Sequence, residues 1–382
     1  MSEYQYYEFQ AIDKPLTEKQ MEELRSYSTR ARITRTSFVN DYSWGNFKGD
    51  EDAWMEKYFD AFLYLANWGT HVLKLRLPSR LLELKTAQEY CVGDYVSAWG
   101  SRGNVILSFS SEEEESEDWV EGEGFLSSLI PVRAELAHGD LRALYLAWLL
   151  CVQHGELDDE DTEPAVPPGL GQLSASLESL ASFLRIDEDL LYAAAQASAA
   201  VGETQLSRDD VRAWVAGRPV AEKDDVLARL IADEDLTLVA ELLQRFRKDH
   251  EDAGQDSKAS AARRTVSELL QAAQTRTEER RQAKARKREE EAARREREAA
   301  AARAKHLDEI AGRQPQLWAR IDSLIAATQP KSYDEAVSLL IDLRDLAQRE
   351  GTDRQFRMRL EAIHVAHARK PSFIKRLEKA GL

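Results

Sequence analysis

Cysteine is nearly missing from this chain: Cys91 and Cys151 are the only two among 382 residues. A disulfide framework is thereby excluded, and the pair suits a reducing interior. Long apolar runs are missing too. The most apolar stretch, LYLAWLLCV at Leu144–Val152, is far shorter than the roughly 20 residues needed to cross a bilayer. The opening MSEYQYYEFQAIDKPLTEKQ has no basic segment followed by an apolar one, so no signal peptide is expected and the expected compartment is the cytoplasm.

Motifs that carry chemistry are equally scarce. Neither the phosphate loop GxxxxGK[ST] nor the GxSxG elbow occurs, and Gly122-Glu-Gly124 sits among acids that repel phosphate. Cys151 and His154 have helical i, i+3 spacing, with His138 as a third conceivable ligand. A structural zinc site needs four ligands, commonly with a second paired knuckle, and none is present, so a buried thiol on an apolar helix is the plainer reading. His364 and His367 read as surface residues of an arginine-rich helix. No nucleophile, base and orienting group form a recognisable set. The sequence names no catalytic residue, no cofactor and no metal.

What the chain has is charge and aromatic residues, unevenly placed. Its 68 acids and 52 bases leave a net charge of −16, a field that repels polyanions and argues against a surface wholly devoted to nucleic acid or anionic lipid. The first part is aromatic-rich; the last is rich in Ala, Arg, Glu and Leu. YQYYEFQAI (Tyr4–Ile12) has bulky residues on both faces, as a strand covered on two sides does. Thr17-Glu-Lys-Gln20 is a capping box that opens a helix. RITRTSFVNDYSW reads as a second strand. Asp50 caps a helix expected to carry WMEKYFDAFLYLANW, with Trp54, Tyr58, Phe62 and Leu65 on one stripe. HVLKLRL alternates as a half-buried strand, and a hairpin around Ser101-Arg-Gly103 and two helices follow.

The expected fold class is multidomain and mainly α, an N-terminal α+β domain followed by helical domains and a long charged single helix. The expected divisions are an α+β domain over 1–154, an acidic and proline-rich linker over 155–171, and a small helical domain over 172–248. A second linker over 249–260, the long helix over 261–312 and a C-terminal helical domain over 313–382 complete the chain. The acidic run Ser111–Asp118 reads as a solvated loop.

The long helix includes RRQAKARKREEEAARREREAAAARAK, from Arg280 to Lys305. Between Leu270 and Leu307 it has no Leu, Ile, Val, Met or aromatic residue, so a coiled coil is poorly supported there. Side-chain pairs Arg286–Glu290, Glu290–Arg294, Glu291–Arg295 and Arg294–Glu298 are expected to support it, at ~0.2–0.5 kcal/mol each. Such a segment is a solvated strut in its plainest reading. One asymmetry suggests more: Arg280, Arg281, Lys284, Arg286, Lys287 and Arg288 cluster with no acid among them, a pattern that follows a phosphate backbone without base stacking. In the N-terminal domain, Asp41, Trp44 and Asp50 lie where loops leave a sheet and form a candidate binding surface.

EYQYYEFQAIDKPLT, STRARITRTSFVNDYSWGNFKGD, YCVGDYVSAW, GDLRALYLAWLL and HARKPSFIKRLEKAGL together resemble a family of uncharacterised bacterial proteins with no assigned activity, over nearly the whole chain. The resemblance implies a bacterial cytosolic origin and one shared architecture, and supplies no residue roles. The leading expectation is a non-enzymatic interaction or scaffold protein whose partners are other proteins or copies of itself, with no membrane contact. The alternative is a nucleic-acid-associated protein using the basic part of the long helix, and an enzyme of unspecified type in the N-terminal domain ranks third.

Overall fold

The computed structural model describes residues 4–112, 122–200, 207–232, 237–254 and 263–382. In chain order the first elements are β1 (Gln5–Gln10), α1 (Glu18–Tyr27), β2 (Arg32–Ile33), β3 (Ser37–Tyr42), α2 (Glu51–Lys57), β4 (Ala61–Ala66), β5 (His71–Pro78), α3 (Leu84–Gln88), β6 (Val96–Ser101) and β7 (Asn104–Ser111). Helices α4 (Phe125–Ala137), α5 (Arg142–Gln153), α6 (Ala175–Phe183), α7 (Glu188–Ala195), α8 (Arg208–Ala216), α9 (Val220–Ala232) and α10 (Leu238–Gly254) follow. The long helix α11 runs unbroken from Val266 to Ile310, and α12 (Gln314–Ala326), α13 (Pro330–Glu350), α14 (Asp353–Ala366) and α15 (Pro371–Lys379) end the chain. An N-terminal antiparallel sheet is thus followed by helices. Two compact units divide it at Arg280 and Arg281.

In the first unit the strands pair antiparallel in the order β2-β3-β1-β4-β5-β7-β6. Side chains alternate between faces, and each face has its own core. Leu63, Leu65, Leu73, Leu75, Leu77 and Phe109 pack under α4, α5, α6 and α7. Tyr7, Phe9, Phe38 and Phe62 meet Leu24 of α1 and Trp54 and Met55 of α2. Two-sided cover is why β1 reads as bulky on both faces. Thr17 forms its capping box with Gln20, Asp50 caps α2, and Arg102 and Gly103 both take positive φ in the β6–β7 turn, as a two-residue hairpin requires.

Two expectations about the sheet need correction. The helix expected over Trp54–Trp68 stops at Lys57, and Ala61–Ala66 is β4. Trp54, Tyr58 and Phe62 do share one core, but a turn at Asp60 brings them there. The buried Asp60 carboxylate accepts from the amides of Ile12 and Asp13 at 2.6 and 2.9 Å and from Arg76 Nη2 at 2.7 Å. The strand β5 is less open than its alternation implies, because α2 covers its polar side and Lys74 reaches Asp52 and Glu51 at 2.6 and 3.2 Å.

The segment 155–171 is packed rather than a free linker. Leu170 is buried, as is Glu163, whose carboxylate takes Tyr145 Oη at 2.9 Å and both Nε and Nη2 of Arg264 at 2.9 Å. Arg264 also donates to the carbonyls of Ala193 and Ala194. Composition pointed to a solvated strap, but two partners that meet Glu163 from distant positions, Tyr145 and Arg264, override it. Residues 172–248 fall within the first unit, which runs to Arg280. Helices α6 and α7 share the sheet's core, and Gln244 of α10 donates to the carbonyls of Leu81 and Ala137. Residues 113–118 of the acidic run and 255–260 of the expected second linker lie outside the described residues; 249–254 continue α10.

In the second unit, α12, α13, α14 and α15 lie within the stretch expected to be a C-terminal helical domain and close around Ile321, Ile325, Leu340, Phe356, Phe373 and Leu377. Arg303 of α11 binds Asp342 and Asp345 of α13, and Arg349 reaches Asp308 at 2.6 Å.

The Glu163 pair gives the first test. Thermolysin is expected to leave Gly155–Gly171 uncut in the folded protein. Glu163→Ala strands the Arg264 charge and is expected to lower unfolding stability by about 3 kcal/mol and to open that segment to the protease. A loss below about 1 kcal/mol in a denaturant titration would reduce the pair to a surface contact.

Candidate interaction surfaces

The loop after β3 begins from constraint. Gln5 Nε2 donates to Gly45 O at 3.0 Å and to Asn46 Oδ1 at 3.1 Å. Phe47 stacks on Tyr7 with ring centroids 5.1 Å apart and meets Trp54 edge-on at 4.8 Å. Gly49 is needed here, since a Cβ would lie 2.5 Å from the Phe47 ring. The loop is therefore nailed down from inside while Trp44, 68% exposed, stays outside with the Arg30 guanidinium 5.0 Å from its ring centre. Asp41 is exposed on β3. Asp50 is committed to its helix cap, accepting from Ala53 N at 2.9 Å.

A second exposed indole belongs to the same end of the sheet. In the pairing register Gln5 stands opposite both Tyr42 and Ala66, so the ends of β3 and β4 flank the start of β1. With strands about 4.8 Å apart, those ends lie roughly 10 Å from each other. Trp44 and Trp68 each follow two residues later, and Trp68 is 46% exposed. Its turn is fixed as well: Ala66 N donates to Thr70 O, Gly69 N to Ala66 O, and the backbones of Tyr4 and Asn67 are joined by Asn67 N to Tyr4 O. Sequence reasoning missed Trp68 by taking it as the end of a helix. The signal was Asn67-Trp-Gly69 between two β-rich runs, a turn pattern.

The basic run is divided by the structure. Arg280 is held by Glu188 and Asp189, both at 2.9 Å, against the first unit. Arg281, Lys284, Arg286, Lys287 and Arg288 lie exposed on α11, within the second unit, and none has a carboxylate within 4 Å among the described residues. Of the four side-chain pairs expected along this helix, Arg294–Glu298 forms, at 3.7 Å. The other three do not, because an exposed pair gains too little to hold two long side chains in one geometry.

Two concavities lie among the helices. One of about 330 Å³ in the second unit is floored by Trp318 and Phe356, with Arg359 over the Trp318 ring at 4.5 Å and Glu350 and Gln355 at the rim. The other, about 220 Å³, is an apolar groove of α8, α9 and α10 between Trp214, Val226, Leu227 and Leu242. Along α9 beside it, Val220, Leu227, Leu230 and Ile231 are exposed.

The residues considered for metal diverge. Cys151 is buried in the sheet's core, His154 stacks on Tyr95 with centroids 4.3 Å apart, and His138 Nδ1 contacts Ala134 O of its own helix. Among the described residues no group of three His, Cys, Asp or Glu side chains is placed to hold a metal ion, and no helix is long and apolar enough to cross a membrane. No family model, curated protein or solved structure matches the chain.

The titratable groups that are most displaced are in packing positions. Burial pushes the Cys91 thiol up to about 12; burial, then the neighbouring Glu156 carboxylate, pushes Cys151 up as well. Burial outweighs Lys74 at Glu51 and raises its carboxyl. Neither thiol is suited to nucleophilic work, which needs the thiolate.

A pH dependence follows. Unfolded thiols titrate near 8.5, whereas both native thiols keep their protons well above that. Above about pH 8 the unfolded state therefore binds fewer protons, and stability is expected to fall as pH rises, by up to about 1.4 kcal/mol per pH unit for each thiol. Denaturant titrations between pH 7 and 9.5 check this. The slope should flatten in Cys91→Ala/Cys151→Ala, and an equal slope there would assign the effect to other groups.

Proposed function

We propose that this protein is a non-enzymatic interaction protein that recognises a partner protein through the aromatic end of its N-terminal sheet, with helical modules joined to it through α11. The observation that carries the reading is the pair of exposed indoles, Trp44 and Trp68, past the ends of the two strands that flank β1, on loops fixed by internal hydrogen bonds and by Phe47. Tryptophan is the residue most enriched among binding hot spots, because it offers large contact area with few rotors to freeze. A fixed loop removes a further ordering cost. Arg30 beside Trp44 adds a cation at the rim, so the fitting partner presents apolar pockets bordered by carboxylates.

The test is Trp44→Ala/Trp68→Ala. Both side chains are exposed, so unfolding stability is expected to stay within about 0.5 kcal/mol of the parent. Proteins recovered with the tagged parent from its source cells should fall at least about tenfold with the variant, as loss of a hot spot worth roughly 2 kcal/mol requires. An unchanged set of recovered proteins overturns the reading. So does an empty recovery from a parent that sediments as a monomer at every concentration.

A further inference from the structure

We infer that the exposed basic segment of α11 is a docking face for duplex DNA, read through its phosphates and not its base sequence. The charge of the chain is polarised. Residues 1–280 have 29 basic and 52 acidic side chains, a net −23, whereas residues 281–382 have 23 basic and 16 acidic, a net +7. The basic run opens the positive unit.

Its geometry follows from the helix. At 3.6 residues per turn, Arg281, Lys284, Lys287 and Arg288 fall within about 120° of the circumference, and Arg286 projects from the other side. Residues 281–290 are all exposed, so nothing in the unit covers this arc. The absence of carboxylate partners matters most. A cation already neutralised by an i, i+4 acid offers a phosphate little; the four on this arc displace the duplex's condensed counterions in full.

The same residues select among polyanions. An anionic membrane needs an apolar helix face to sink into the headgroups, and here the apolar residues are alanines alone. Single strands need aromatic platforms for their bases, also missing from the run. A bare helix about 10–12 Å across matches the roughly 12 Å major groove of B-form DNA, whereas the A-form major groove of duplex RNA is too narrow for it. Alanine, Arg and Lys carry no pattern for base edges beyond what Arg offers guanine, so affinity comes from phosphates and is blind to sequence.

The experiment measures anisotropy of a labelled random 20-base-pair duplex (a length chosen to give about two helical turns) with the full chain. Binding is expected at 50 mM salt and should weaken roughly a hundredfold by 200 mM, the slope for about four phosphates. Arg281→Gln/Lys284→Gln/Arg288→Gln should lose at least about tenfold at 50 mM and most of the salt slope, with helicity by circular dichroism unchanged. Removing equal charge elsewhere in the unit, by Arg354→Gln/Arg357→Gln/Arg369→Gln, should change affinity by no more than about twofold. The inference is overturned by no binding at 50 mM salt, by a triple variant that binds as the parent does, or by a control variant that loses as much. Equal dependence on these three residues for vesicles containing phosphatidylserine would assign the face to lipid headgroups and overturn it too.

Discussion

The ion pair between Glu163 and Arg264 is the constraint on which the first unit depends. A buried carboxylate is strongly unfavourable alone, and here it is satisfied by a bidentate guanidinium and by Tyr145 Oη. Each partner comes from a different place: Glu163 from the strap after α5, Tyr145 from the apolar helix under the sheet, Arg264 from the residues that lead into α11. Arg264 then closes the end of α7 through two carbonyls. One charge therefore fixes four segments, and the first turns of α11 sit in the sheet's core through Val266, Leu269 and Ala273.

The chain treats charge in two ways. Inside the first unit the two cations of β5 that point to the sheet's second face meet acids: Lys74 with Asp52 and Arg76 with Asp60. These pairs link β5 to α2 and, through Asp60, to the end of β1, and so hold one face of the sheet to its cover. In the basic run of α11 the opposite holds, with Arg281, Lys284, Arg286, Lys287 and Arg288 left to solvent. The difference is burial. A desolvated ion must be compensated for the fold to exist, whereas an exposed one is stable alone and remains available to others.

Much of the fold was legible in local pattern. The capping box at Thr17, the Arg102-Gly103 turn, the alternation of β5 and the helical character of the C-terminal stretch all state their structure within a few residues. The failures involve contacts distant in sequence. Ala61–Ala66 continues a helical stripe when read along the chain, and only pairing with β1 and β5 makes it a strand. The strap 155–171 has a linker's composition, and no local rule reveals that Glu163 meets Arg264. At the candidate surfaces, Trp44 was legible as a loop tryptophan, but Asp50 proved to be a cap and Trp68 was hidden by the mistaken helix. Arg280 looked equivalent to its basic neighbours, and only the fold places Glu188 and Asp189 against it.

The beginning of α11 inside the core has a further consequence, for how its exposed middle forms at all. A helix is limited by nucleation, because the first turn fixes several residues for one hydrogen bond. Here that turn is made by packing, with Thr265 and Glu268 exchanging side chain-to-amide hydrogen bonds over Val266 and Leu269. Beyond Arg280 each residue needs only propagation, which alanine, arginine and glutamate favour. The charged stretch can therefore be devoted to solvent-facing side chains, its backbone order inherited from a nucleus it does not contain.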